Sequence, residues 1–386
     1  MTITVPARLT LLIMTFAVNR LARRLLAAAC LLAAPLAHAD IVIGQVAPFT
    51  GPQAVTGKAM RAGAKLWLDE VNAKGGIRGQ KIKMVYRDDA QKPEETVRLV
   101  KEVIEQENPA ALIGTVGTSN LEALKQDGIL EKAKVSMFGA VSGATSIITA
   151  RYMYPVKASY REEVERLFKQ LAEMGRTKVG VVYQDDGLGR DALAGAQASA
   201  KTHGLTLVAQ SGYARNTTEV GAAVGEMVKQ QPDVIFLAAT TAAAIEFTSR
   251  YQAAGGHAGL YGMSIIDIQA LLGKLGPDRA RGFAFSLVLP TDDRQDREVV
   301  REYQRLRQNS KDSELSSRSL EGFIAARAMT RAIERSAALT AASISDTMDK
   351  GFETDVGGHR LTFGKGQTPS RYVDFAVLGN GGRLVR

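Results

Sequence analysis

The chain is 386 residues long, with 49 basic against 40 acidic residues, 45% hydrophobic residues and a single cysteine. That length exceeds one ordinary core and suits two domains. A net charge of +9 spread along the chain makes no case for nucleic acid, and one cysteine excludes an internal disulfide or a cysteine-rich metal centre.

The first 39 residues read as a signal peptide. Four arginines (Arg8, Arg20, Arg23, Arg24) and no acid flank an apolar run over 25–36, which ends in Ala37-His38-Ala39, a small-x-small cleavage pattern. Cys30 lies inside this leader. Cleavage before Asp40 leaves 45 basic against 40 acidic residues, a balance of +5. No later apolar run is long enough to span a bilayer, so a soluble protein exported to the periplasm is expected.

From Asp40 onward, short apolar runs alternate with longer amphipathic segments. Strands are predicted at 41–47, 81–86, 110–113 and 136–138, with helices at 57–74, 93–106 and 120–133 between them. Met60, Ala64, Trp67 and Val71 carry the helical spacing of the first, and Gly75-Gly76 stops it. The alternation then restarts. Helices at 162–174, 190–201, 220–229 and 242–253 separate strands at 178–183, 206–213, 233–238 and 260–264. A strand-like stretch at 281–289 closes this series. Such β-α repetition specifies an α/β fold with parallel-rich sheets and helices on both faces.

Helices at 296–307 and 319–335, a short helix, and strands near 359–363 and 373–378 come last. They are too few for a third core, so they complete the two existing ones. The chain then passes between two Rossmann-like lobes three times, near 155, 287 and 367. The expected division is 40–156 with 288–366 for lobe 1, and 157–287 with 367–386 for lobe 2, joined by a three-strand hinge.

Catalytic groupings are missing. His203, His257 and His359 lack metal-ligand spacing and read as surface or loop residues. There is no G-x-S-x-G elbow or Walker loop, and Gly187-Leu188-Gly189 is a strand-to-helix turn without the third glycine of a dinucleotide fingerprint. Asp88-Asp89 and Asp185-Asp186 each follow a strand and precede a helix, where carboxylates cap backbone N–H groups. No cofactor or metal is expected.

Hydroxyl- and glycine-rich turns remain at the carboxyl ends of first-lobe strands, where open parallel sheets bind ligands. They are Thr50-Gly51-Pro52, Thr115 to Ser119, and Val141-Ser142-Gly143. A helix start at Thr118 to Asn120 presents free N–H groups beside two hydroxyls, which suits a carboxylate. A plain helix cap explains that turn equally well by itself, but three such turns on one sheet edge favour a site.

Several segments carry a family likeness across the whole of 40–386. They are Ile43-Gly44-Gln45-Val46-Ala47-Pro48-Phe49-Thr50-Gly51-Pro52, Val71-Asn72-Ala73-Lys74-Gly75-Gly76-Ile77-Arg78-Gly79, Tyr86-Arg87-Asp88-Asp89, Tyr183-Gln184-Asp185-Asp186-Gly187, and Ser319-Leu320-Glu321-Gly322-Phe323. In this order the chain resembles the type I periplasmic solute-binding proteins of the branched-chain amino acid ABC transporters. The resemblance implies a small-molecule ligand clamped between two lobes and handed by a monomer to an inner-membrane permease. It places the first-lobe carboxylate site on Gly117, Thr118, Ser119, Val141, Ser142 and Gly143, and the apposed second-lobe positions on Leu188, Thr240 and Ser264; Thr50, from the turn after the first strand, and Thr56 join them as candidate ligand-binding residues.

Amino-acid binders of this group place an acid near Ser264 for the ligand ammonium, and aromatics near Thr56, Leu188, Thr240 and Ser317. This chain has neither. An unpaired ammonium in a closed cleft costs several kcal/mol, so the expected ligand is a carboxylate without an α-amino group, or an unrelated polar metabolite, ahead of an amino acid. Arg318 reads as a solvated helix-start residue. The alternatives are a ligand sensor for a signalling receptor and an exported two-domain enzyme. The enzyme would need an acid/base pair or nucleotide loop that the sequence does not contain.

Overall fold

The computed structural model describes residues 40–364 and 367–386; the signal-peptide reading of 1–39 lies outside them. The first half runs β1 (Ile41–Ala47), α1 (Ala54–Ala73), β2 (Ile82–Asp88), α2 (Pro93–Glu107), β3 (Ala111–Ile113), α3 (Thr118–Asp127), α4 (Ile129–Ala133), β4 (Met137–Phe138), α5 (Thr145–Ile148) and β5 (Met153–Tyr154). Its strands form one parallel sheet in the order β2-β1-β3-β4-β5. The helix expected over 120–133 is two helices, because Gly128 takes a left-handed φ of 74° between them.

The second half continues with α6 (Tyr160–Glu173), β6 (Lys178–Gln184), α7 (Gly187–His203), β7 (Thr206–Tyr213), α8 (Gly221–Gln230), β8 (Val234–Ala238), α9 (Thr241–Ala253), β9 (Gly259–Gly262), α10 (Ile268–Ala280) and β10 (Ala284–Leu287). Sequence reasoning missed α10. Gly276 breaks its helical geometry beside Pro277, so neither piece shows a sustained helical period. The remaining elements are α11 (Glu298–Gln308), α12 (Ser319–Arg335), α13 (Ala341–Asp349), β11 (Phe352–Asp355), β12 (Arg360–Phe363), β13 (Asp374–Leu378) and β14 (Leu384–Val385). β13 pairs antiparallel with β10 and so joins the second sheet, ordered β14-β13-β10-β9-β8-β6-β7.

The chain therefore passes from the first sheet to the second after β5, from the second to elements packed on the first after β10, and back after β12; β11 and β12 pair only with each other, in a two-stranded sheet whose Phe352, Leu361 and Phe363 join the first core. Helix α12 returns to the first sheet: Phe323, Ile324, Met329 and Ile333 share a core with Ile43, Ile113 and Phe138. It lies hard against α1. A Cβ on Gly63 would fall 1.8 Å from the Ser319 carbonyl oxygen, and one on Gly322 2.2 Å from that of Met60. Only glycine allows two backbones to approach this closely.

The first crossing is fixed from both ends. The Ser159 hydroxyl accepts from the Glu162 N–H, and the Glu162 carboxylate accepts from the Ser159 N–H, which together start α6 as a capping box. One face of α6 then buries Tyr160, Val164, Leu167, Phe168 and Leu171. Ahead of it, the Val156 carbonyl accepts from His359 Nε2 at 3.1 Å. His359 lies in the loop between β11 and β12 and is buried at 3% exposure, and burial holds its pKa below the ordinary value of 6.5.

Two predictions follow from this packing. Gly63→Ala should cost about 1–3 kcal/mol by overpacking, read as a lower thermal midpoint without loss of helix content. A depressed histidine pKa stabilises the fold above the unfolded-state value and is lost as pH falls through the folded-state value. Wild-type stability should therefore drop below about pH 6.5, and the His359→Gln variant should show a flatter profile in denaturant titrations at pH 7, 6 and 5.

Candidate ligand cleft between the two sheets

Loops at the carboxyl ends of both sheets face one another across a small cavity of about 60 Å³. Gln53, Thr56, Gln91, Gly117, Thr118 and Val141 line it from the first half, and Tyr160, Gln184, Asp186, Leu188, Arg215, Thr240 and Ser264 from the second. Lys157, at the first crossing, and Arg318 and Glu321, at the start of α12, complete the wall. The cavity thus gathers Thr56, Gly117, Thr118, Val141, Leu188, Thr240 and Ser264 from the sequence-derived set.

The other four lie elsewhere. Thr50 is exposed and donates to Asp88 Oδ2 at 2.7 Å. Ser119 faces a separate groove with Glu122 and Asp185. Ser142 stands behind the wall, 2.9 Å from the Thr118 hydroxyl, and accepts from the Ala144 N–H. Gly143 is covered by Tyr160, whose ring would sit 2.6 Å from any Cβ there and whose N–H donates to the Gly143 carbonyl.

Helix α3 begins at the wall itself. Gly117, with φ 104°, turns the chain so that Thr118 opens the helix with its hydroxyl on Ser142. The exposed N–H groups of a first turn carry positive potential, which favours an anion.

Each carboxylate in the wall already has a partner. Asp186 caps α7, accepting from the Leu188 and Gly189 N–H groups and from Gln184 Nε2, with Arg215 Nε 3.4 Å away. Glu321 pairs with Lys157 at 3.0 Å; Lys157 is buried and Glu321 partly so. Burial works against the Lys157 ammonium, but the neighbouring charges, Glu321 foremost, leave its pKa above the ordinary value.

Behind Ser264 lies Glu163, 1% exposed, which accepts from the Ser264 N–H, the Ser264 hydroxyl and the Ser286 hydroxyl. Burial pushes its pKa up against those three hydrogen bonds. An acid does therefore stand near Ser264, but on α6, and the serine's own hydroxyl is turned onto it.

The Asp88-Asp89 pair corrects the capping assignment. The residue preceding α2 is Lys92, which provides no side-chain cap. Asp88 instead accepts from the Phe49 and Ala90 N–H groups, and Asp89 from the Gln91 N–H and the Thr96 hydroxyl, so both stitch the loop after β2.

Arg318 is not a solvated residue. From the first half it reaches Asp267 Oδ2 at 2.9 Å and the Ile265 carbonyl, both beyond β9. Arg215 reaches the opposite way. From the end of β7 it donates to the Gln91 carbonyl at 3.1 Å and Asn120 Oδ1 at 2.9 Å. Sequence reasoning missed Gln91, Gln184 and Arg215. Each lies at or just beyond the carboxyl end of β2, β6 or β7, so extending the strand-end rule to every strand would have found them.

Two α/β halves meeting at their strand ends, crossed three times by the chain and closed around a polar cavity, define a solute-binding clamp of the type I periplasmic class. The periplasmic binding protein family model matches residues 40–383, and the chain belongs to that family. A crystal structure of a substrate-binding periplasmic protein from Ralstonia solanacearum is 38% identical, with a TM-score of 0.84 over 90% of this chain and 99% of that one. The Leu/Ile/Val-binding protein homolog 8 of Brucella abortus is 28% identical over 208 residues, 52% of this chain and 51% of that protein. The chain thus spans about half the length of the curated relatives it matches. A solute-binding protein of an ABC transporter from R. palustris, solved with benzoate, shares the fold at 17% identity, with a TM-score of 0.75 over 90% of this chain and 95% of that one. Among the described residues no group of three or more His, Cys, Asp or Glu is placed to hold a metal ion.

The pair of Lys157 and Glu321 generates a prediction. Glu321→Gln strands the Lys157 charge in the wall and should cost about 3–5 kcal/mol. Replacing both residues by Met and Leu should recover much of that loss. Chemical denaturation of the three proteins measures both effects.

Proposed function

We propose that this protein is the solute-binding component of an ABC importer, and that it clamps a small carboxylate lacking an α-amino group. One observation carries the reading: each carboxylate of the cavity wall is already held by cations, amides or backbone N–H groups of the chain itself. An incoming ammonium would find no free counter-ion, whereas an incoming carboxylate would meet the first turn of α3 and the Thr118 hydroxyl. The benzoate-bound R. palustris protein shows that this fold accommodates an acid without an amino group.

The mechanism is capture and closure. Ligand docks on the first-half edge, and the second half swings over it about the three crossings, moving as lobes 40–156 with 288–366 and 157–287 with 367–386. Arg215 and Arg318 then tie the edges together. A membrane permease receives the ligand from the shut form, and a monomer suffices for this. The site holds no acid/base pair for turnover, since its acids are engaged in structure. In this reading 1–39 is the export signal and the periplasm the place of work.

Calorimetry with matched pairs tests the ligand class. Propanoate and 4-methylpentanoate should bind better than alanine and leucine; tight leucine binding would sink the proposal. Thr118→Val should weaken carboxylate binding by about ten- to a hundredfold, the range for a hydrogen bond to a charged group, with the thermal midpoint little changed.

A further inference from the structure

Two side chains in the cavity wall carry a hydrogen-bonding capacity that the protein does not use. Gln91 is 5% exposed and Gln184 4% exposed, and both line the cavity, one from each half. In both, the amide oxygen Oε1 is buried and has no hydrogen-bond partner.

The orientation of each amide is fixed by its surroundings. Asn120 Nδ2 donates to the Thr96 hydroxyl, so Asn120 Oδ1 is an acceptor, and it receives Arg215 at 2.9 Å and Gln91 Nε2 at 3.3 Å. Gln91 must therefore present its nitrogen to Asn120 and its oxygen elsewhere. Gln184 Nε2 donates to Asp186 Oδ2 at 2.8 Å, and a carboxylate demands a donor. Flipping either amide would set oxygen against oxygen.

A buried acceptor without a partner is expensive, and native interiors rarely keep one except where something else supplies the donor. Here two neutral ones stand in one small cavity; Glu321 Oε1, beside them, also lacks a hydrogen bond but lies 3.0 Å from the Lys157 ammonium. Being neutral, the two amide oxygens match an O–H donor; an ammonium would need a formal negative charge.

We infer that Gln91 and Gln184 select a hydroxylated ligand, a hydroxy-carboxylate whose hydroxyl donates to an amide oxygen of one half, or of both, as the cleft shuts. This rests on the carboxylate reading and adds a second determinant to it. The acid group is held at α3 and the hydroxyl reports on closure, because the two acceptors lie on opposite halves.

The test compares three substituents on one skeleton. Lactate and 2-hydroxy-4-methylpentanoate are titrated calorimetrically into the full-length mature protein against propanoate and 4-methylpentanoate, with lactamide and propanamide as uncharged controls. At least one hydroxy acid should bind tenfold or more tighter than its deoxy partner. Gln91→Leu, Gln184→Leu or both should erase most of that preference, bringing the ratio of hydroxy-acid to deoxy-acid affinity towards one. Each variant also removes an amide N–H that donates to Asn120 or to Asp186, so a lower thermal midpoint is expected and the affinity ratio is the readout. A buried glutamine with a purely structural role would instead weaken both ligands alike and leave their ratio unchanged.

Equal binding of hydroxy and deoxy acids overturns the inference and leaves the carboxylate reading standing. A hydroxyl preference that persists equally in the amides overturns the carboxylate reading, and the hydroxy-carboxylate with it, and leaves only the hydroxyl's place on Gln91 and Gln184 standing. A panel in which no hydroxylated member binds overturns the inference.

Discussion

The ion pair between Lys157 and Glu321 is the constraint around which this molecule is arranged. Lys157 stands where the chain first leaves the first sheet, and Glu321 in the opening turn of the helix that returns to it. Neither charge has much water to turn to, so each is tolerable only beside the other. That fixes the start of α12 against the first crossing. Helix α12 is itself held to α1 by the close approach at Gly63 and Gly322. The sheet, helices α1 and α12 and the crossing are therefore joined as one piece. The capping box at Ser159 passes this order on to α6, whose Glu163 orders Ser264 at the far wall of the cleft.

The same economy of charge shapes what the cleft can recognise. Its acids are engaged in capping α7 and pairing the hinge lysine, so the groups left for a ligand are the first turn of α3 and neutral hydroxyls and amides. Thr118 and Ser142 illustrate the division of labour: one lines the cavity, and the other holds it there from behind.

Most of the architecture was legible because strand and helix signals are local. The alternation of apolar runs placed nearly every strand of both sheets, and the late helices had to return because they could not form a core alone. The failures were not local. Gly276 and Pro277 interrupt α10, so its period was invisible. His359 looks like any loop histidine until the first crossing is laid over it. Arg318 and Arg215 look solvated in sequence because their partners lie 51 residues away in one case and 95 and 124 in the other. Of the first-half turn residues picked by the strand-end rule, Gly117, Thr118 and Val141 line the cavity, whereas Thr50, Ser119, Ser142 and Gly143 do not. The amides of Gln91 and Gln184 were not legible, since an unpartnered oxygen can be recognised only after the other hydrogen bonds have been assigned.

The crossed arginines set the background against which cargo is read. Contacts that the protein makes across its own cleft favour the shut form whether or not anything is inside. Every 1.4 kcal/mol of such help multiplies the idle shut population by about ten. A transporter that responds to shape alone would then spend cycles on empty carriers. Arg215 and Arg318 retain partial solvent access, with 23% and 18% of their side-chain surface exposed. Water and salt weaken both ties accordingly. Their strength is a dial between false signals and missed cargo.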